Sequence, residues 1–130
     1  MPKTNNGIVH LTSGISVSAT LEHLLSILRE KMITIFAVVD HSGEAAKAGI
    51  AMPETKLVIF GNPKAGTPLM LAEPDIALEL PLKILIAEAP DGTTCVSYND
   101  PAYLQSRYGL APELMKNILA IEQLAKAITT

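Results

Sequence analysis

The sequence predicts an α+β protein, an antiparallel sheet of about five strands with its helices packed on one side. Three observations carry this. Alternating or β-branched runs recur at strand length, over residues 8–12, 33–39, 56–60, 82–87 and 93–97. Apolar residues at helical spacing lie between and after them. Asp91-Gly92 joins the last two runs as a hairpin turn, which makes that pair antiparallel. The chain has 130 residues, 48 % apolar and 18 % charged, with a mean hydropathy of +0.31. This length supports one domain, and this composition excludes intrinsic disorder.

Ile8, His10 and Thr12 alternate with Val9 and Leu11, the two-residue period of a strand with one wet face. Ser16 can cap a helix. From Val17, the positions Leu21, Leu24, Leu25, Leu28 and Met32 keep a helical stripe, with Glu22, Arg29, Glu30 and Lys31 outside it. A second strand follows. Asp40-His41-Ser42-Gly43 reads as a turn, with Asp40 capping a short helix over 44–48 that Gly49 ends. Residues 56–60 are placed as a third, central strand.

Gly61-Asn62-Pro63-Lys64-Ala65-Gly66-Thr67 is a dense cluster of turn residues. Thr67 caps the next helix with Pro68 at its first position, and Pro74 breaks it. An apolar turn over 76–80 precedes the fourth strand. After the fifth, Asn99 and Asp100 cap a short helix over 102–107, stopped at Gly109. Pro112 opens the last helix. Leu114, Ile118, Ile121, Ala125 and Ile128 line one face of it, and Met115, Leu119 and Leu124 widen that face. It is either a core lid or a subunit interface. No repeat, linker or low-complexity tract divides the chain, so 1–130 reads as one domain.

Four stretches carry a family resemblance: Asp40-His41, the run from Phe60 to Met70, Leu80-Pro81-Leu82-Lys83, and Tyr98-Asn99-Asp100-Pro101. Over about residues 7–108 the chain resembles the bacterial and archaeal family called domain of unknown function 302. The long central motif is the specific one. The resemblance implies a β-α-β(4)-α arrangement like that of the TATA-binding protein, and association as homodimers. It implies no particular activity. Two departures stand out. Asp91 follows Pro90 where members carry an acidic pair, and residues 110–130, the last helix, lie outside the motifs.

Several residues could carry chemistry. The spacing of Gly61 and Gly66 matches the start of a phosphate loop. Thr67 and Pro68 then stand where lysine and serine or threonine belong. Pro63 and Pro68 also remove two backbone donors. A nucleotide triphosphatase is excluded. A weaker anion site, a helix N-terminus with Thr67 and Lys64 nearby, stays open beside the plain turn reading. Asp40 can orient the His41 ring and raise its basicity, which makes His41 a candidate general acid/base with Asp40 as its partner. Glu44, three residues on, makes His41 and Glu44 candidate metal ligands. Further ligands, such as His10 or Cys95, would have to arrive from other strands.

Lys83 lies within an apolar strand and either points to solvent or lines a cavity with a depressed pKa. Tyr98 closes the core or borders a ligand. Cys95, mid-strand, reads as an inert, buried, small apolar residue, and as the lone cysteine it excludes an intrachain disulfide. His23 reads as surface. No serine-hydrolase elbow, zinc-protease helix, cysteine pair or dinucleotide fingerprint occurs.

The net charge is −3 with ten basic residues, so nucleic acid is not an expected partner, whatever the fold. The first residues lack the apolar core of a signal peptide, and no apolar run reaches the ~20 residues of a membrane span. The expectation is a small cytoplasmic homodimer without a cofactor. It would bind a small ligand between sheet and helix, through Asn62, Lys64, Thr67, Lys83 and Tyr98. Three other classes remain: an enzyme built on His41, a metal sensor or carrier, and a structural interaction module.

Overall fold

The computed structural model describes residues 6–130. Residues 1–5, on which the reading of a leaderless start rests, lie outside the described residues. Five strands form one sheet: β1 (Ile8–Ser13), β2 (Thr34–Asp40), β3 (Thr55–Gly61), β4 (Leu82–Glu88) and β5 (Thr94–Asn99). Their order is β1-β5-β4-β3-β2, and every neighbouring pair is antiparallel. The helices are α1 (Val17–Glu30), α2 (His41–Lys47), α3 (Pro63–Ala72), α4 (Pro101–Tyr108) and α5 (Ala120–Ala127). Tight 3-10 turns over Pro74–Leu78 and Pro112–Asn117 precede β4 and α5. With α2, α3, α4 and these turns set aside, the order is the β-α-β(4)-α that the resemblance implies.

The strand order makes β1 and β2 the two edges, so α1 must cross the sheet to join them. It packs on β2, β3 and β4, while α5 packs on β5. Strand alternation sends one set of side chains to these helices. Val9, Val58, Phe60, Ile84, Ile86, Val96 and Tyr98 meet Leu24, Leu25 and Leu28 of α1 and Ile121, Leu124 and Ala125 of α5. A second cluster extends the core past the strand ends, with Leu69 of α3, Ile76, Leu104 of α4, Leu110, Met115 and Ile118.

Local chemistry sets the helix ends. Ser16 accepts from the Ala19 N–H at 3.1 Å and starts α1. The helix ends two residues before Met32. There the Ile33 N–H reaches the Leu28 carbonyl at 2.9 Å and the Met32 N–H reaches that of Arg29 at 3.1 Å. This paired C-terminal closure normally places glycine where Met32 stands with φ +58°. Met32 is 90 % exposed and outside the stripe assigned to it.

Four other expectations are corrected. The centre of the sheet is β4, and β3 lies between β4 and β2. The segment after Asp40 is helical from His41 on, because the Asp40 cap acts one turn earlier than expected. The turn cluster at 61–67 is mostly helix. Asn62, not Thr67, caps α3, accepting from the Lys64 N–H at 2.9 Å, with Pro63 at the first position and Pro68 inside the helix. The last helix is split, a 3-10 turn and then α5.

Candidate functional site

The Asp40-His41 pair and the Gly61–Thr67 segment lie at opposite ends of the sheet. Asp40 pairs with Lys56 and Thr34 with Gly61 across β2 and β3. Five residue steps along β3 therefore separate the Asp40 end from the Gly61 end, about 17 Å at strand rise.

At the Gly61 end a crevice of about 200 Å³ opens between sheet and helix. Its walls are Gly61 and Asn62, one side of α3 from Pro63 to Met70, Leu80-Pro81-Leu82, and Asn117 with Ile118. Phe36 closes its outer side. The pairing of β2 slips between Ile35 and Ala37, and this bulge leaves Phe36 without a strand partner and 51 % exposed. Gly61 and Gly66 keep the wall thin. The lining is mostly carbon, with polar atoms from Asn62, Thr67 and Asn117.

Of the expected ligand-binding residues, only Asn62 and Thr67 border this crevice. The Asn62 oxygen is engaged in capping α3. Lys64 is exposed and outside the lining. Lys83 pairs with Ile59, which puts it on the sheet face away from the crevice. Its amine donates to the Glu79 and Pro81 carbonyls at 3.1 and 2.9 Å, and burial lowers its pKa. Tyr98 is buried in the main core, where desolvation raises its phenol pKa, helped by the nearby Glu122 and Asp100 charges. Sequence reading missed Phe36, Leu80, Pro81, Asn117 and Ile118. Only a contact between distant segments marks them.

At the other end, Asp40 Oδ1 accepts from the Lys56 amine at 2.8 Å, the Gly43 N–H at 2.9 Å and the Ser42 hydroxyl at 2.9 Å. Lys56 first, then Gly43 and Ser42, hold its carboxyl at about 2 against an ordinary 3.8. The same bond raises the Lys56 pKa. Gly43 is required here, since a Cβ at this position would overlap the Asp40 carboxylate. Asp40 thus anchors α2 to β3. His41 is exposed on the first turn of α2 and lines neither described cavity. Glu44 pairs with Lys47 at 2.8 Å in solvent. Among the described residues, no three of His, Cys, Asp and Glu gather as a metal would need.

A third group lies on the sheet face away from the helices. His10 is directly opposite Ser97, and Cys95 lies two residues along β5 on the same face. The His10 Nδ1 is 2.7 Å from Ser97 Oγ and 3.7 Å from Cys95 Sγ, and the two β5 side chains are 3.5 Å apart. Cys95 is half-buried, with its sulfur beside an imidazole. Strand pairing could not be read from sequence, and it alone brings residues 10 and 95 together.

These features define a two-layer α+β protein with a small crevice at one end of a sheet whose second face is open. The chain belongs to the family described as Domain of unknown function DUF302, whose pattern matches residues 9–130. The match runs through the last helix, which the sequence motifs had left outside. The crystal structure of an uncharacterized conserved DUF302 protein from Bacillus stearothermophilus is similar in fold, with a TM-score of 0.76 over 95 % of each chain at 16 % identity. Two curated relatives, both called fluoride-specific ion channel FluC 1, come from Brucella suis and Brucella abortus. Each is 38 % identical over 106 residues, 82 % of this chain. The chain spans 42 % and 39 % of their respective lengths.

Proposed function

We propose that this chain binds a compact, mostly apolar molecule in the crevice beside α3, and that it acts as a pair of chains in the cytoplasm. The crevice carries the first part. An apolar hollow with a few polar atoms, set between elements that are distant in sequence, is the usual form of a small-ligand site. Asn62, Thr67 and Asn117 would orient one hydrogen-bonding group of the ligand. The lone thiol fits a reducing compartment.

The open sheet face supports pairing. Leu57, Ile59 and Leu85 share it, and none of them belongs to either core cluster. They are half-buried, and covering what remains of their apolar surface would favour association. The name fluoride channel belongs to the Brucella proteins. No helix among the described residues is long and apolar enough to cross a membrane.

Titrating the labelled protein with indole tests the crevice. Amide shifts should concentrate at Gly61, Gly66, Leu82 and Ile118, and Ala65→Phe, which fills the hollow, should abolish them. Indole shifts that are absent, or unchanged in Ala65→Phe, would refute the site. Sedimentation of wild type and Ile59→Asp tests pairing, which the buried charge should break.

A further inference from the structure

The crevice beside α3 has a chemistry more particular than apolar. We infer that it selects an uncharged, flat carboxamide, such as an aromatic amide, and that Asn117 reads the amide group. This rests on the small-ligand reading above and names the class of ligand.

Charge is excluded first. Among the described residues, none that lines the crevice is charged. The N-terminus of α3, which the sequence left open as an anion site, has its donors engaged. Pro63 lacks an N–H. The Lys64 N–H goes to Asn62 Oδ1 at 2.9 Å. The N–H groups of Ala65 and Gly66 go to the Asn62 carbonyl at 2.9 and 3.0 Å. Charges behind the wall are occupied too. The Lys83 amine donates to the Glu79 and Pro81 carbonyls, and the Glu79 carboxylate accepts from Arg107 and Tyr108. An ion entering this mostly carbon hollow loses its water and finds no counter-charge.

The polar groups that remain are two amides and a hydroxyl. Asn62 has its oxygen engaged, which leaves its Nδ2 as a donor. The Asn117 amide and the Thr67 hydroxyl make no hydrogen bond within the chain among the described residues. Asn117 is half-buried, and the next residue, Ile118, is fixed in the second core cluster. It offers a donor and an acceptor from one planar group on an anchored backbone. A carboxamide answers both, with its carbonyl for the donor and its N–H for the acceptor. A carboxylate only accepts and an amidinium only donates, so each leaves half of Asn117 unanswered.

Size and shape complete the class. A closed cavity of about 150 Å³ takes benzene. At about 200 Å³ the crevice takes a ring with one small planar substituent. Gly61 gives it a flat side. A Cβ there would lie 3.6 Å from Pro81 Cβ and 3.8 Å from Phe36 Cε2, ordinary contact with both. The glycine therefore leaves room for a carbon layer against Pro81 and the Phe36 ring, which an aromatic ring supplies.

The test is titration of the labelled protein with benzamide, benzoate and benzamidine, with indole as the reference for the crevice. The three share one shape and are neutral, anionic and cationic at neutral pH. Benzamide should shift the amides of Gly61, Gly66 and Ile118 and bind more than about tenfold more tightly than either ion. Cyclohexanecarboxamide, the same amide on a puckered ring, should bind more weakly than benzamide. Asn117→Leu should weaken benzamide about tenfold without weakening toluene, which has no polar group. Asn117→Asp should place benzamidine first, a reversal that a merely structural asparagine would not produce. The amide spectra show whether each variant is folded. Indole binding with no preference for benzamide over the ions overturns the carboxamide class and leaves the crevice reading intact. A preference for benzamide that survives both Asn117 variants overturns Asn117 as its reader, and equal binding of the puckered amide overturns the flat slot. If indole and all the amides and ions fail to bind, the crevice reading falls and this inference with it.

Discussion

Met32 occupies a backbone position that L side chains avoid, and it does so without burying anything. With φ +58° it carries the left-handed penalty of about 1 kcal/mol. Met32→Gly should therefore raise stability by about 1 kcal/mol, read as a shift of the urea midpoint with unchanged slope. Gly7 is the opposite case. At φ +79° its Cβ would overlap the Tyr103 ring, so Gly7→Ala should cost more than about 2 kcal/mol in the same assay. Asp40 makes stability depend on pH. Its folded carboxyl is held at about 2, below the ordinary 3.8. Its contribution is complete above the unfolded value and is lost as pH falls toward about 2. Asp40→Asn should destabilise the protein at pH 7, and the difference from wild type should vanish near pH 2. Chemical denaturation across that range checks it.

α3 shows how a helix can hide in turn residues. Gly61, Asn62, Pro63 and Gly66 each favour turns, and together they predict a loop. Once Asn62 caps the first turn and Pro63 takes the position without a lost donor, helix is the cheaper backbone. Leu69 then reaches the second core cluster, and that burial outweighs Gly66 and Pro68 inside the helix. Gly66 keeps ordinary helical geometry, and an added Cβ would meet Leu80 and Met70 at 3.6 and 3.9 Å, normal contact distances. Gly66→Ala should therefore stabilise by about 0.5–1 kcal/mol while weakening indole binding, because the methyl enters the crevice. Paired denaturation and titration measurements separate the two effects.

At the scale of the molecule, the two sheet faces have different fates. α1 and α5 close one face and leave the other apolar and open. The last helix is settled as a core lid, since Ile121, Leu124 and Ala125 are buried against the chain's own sheet. Ile121→Ala should cost about 2–5 kcal/mol by leaving a cavity, as a thermal or urea melt would show. The same placement argues against a role for α5 as the contact between copies. The crevice at the Gly61 end is likewise a product of the whole chain, since β2, α3, the segment before β4 and residues 117–118 all contribute walls.

Local spacing alone determined much of this protein. Five strands, the Leu24–Leu28 stripe of α1, the Asp40 and Ser16 caps and the Asp91-Gly92 hairpin follow from periods of two and 3.6 residues and from side chains that bond to nearby backbone. The motif residues also pointed to the family. Spacing could not say that β4 is the middle strand, that Lys83 and Asn62 face different ways, or that Asp40 and His41 lie a strand's length from the crevice. Those facts depend on which strands pair and in what register. Register is decided by burying one complete set of side chains under α1 and α5. The same register sets Cys95 beside His10, a contact between residues 85 positions apart that only the closed sheet creates.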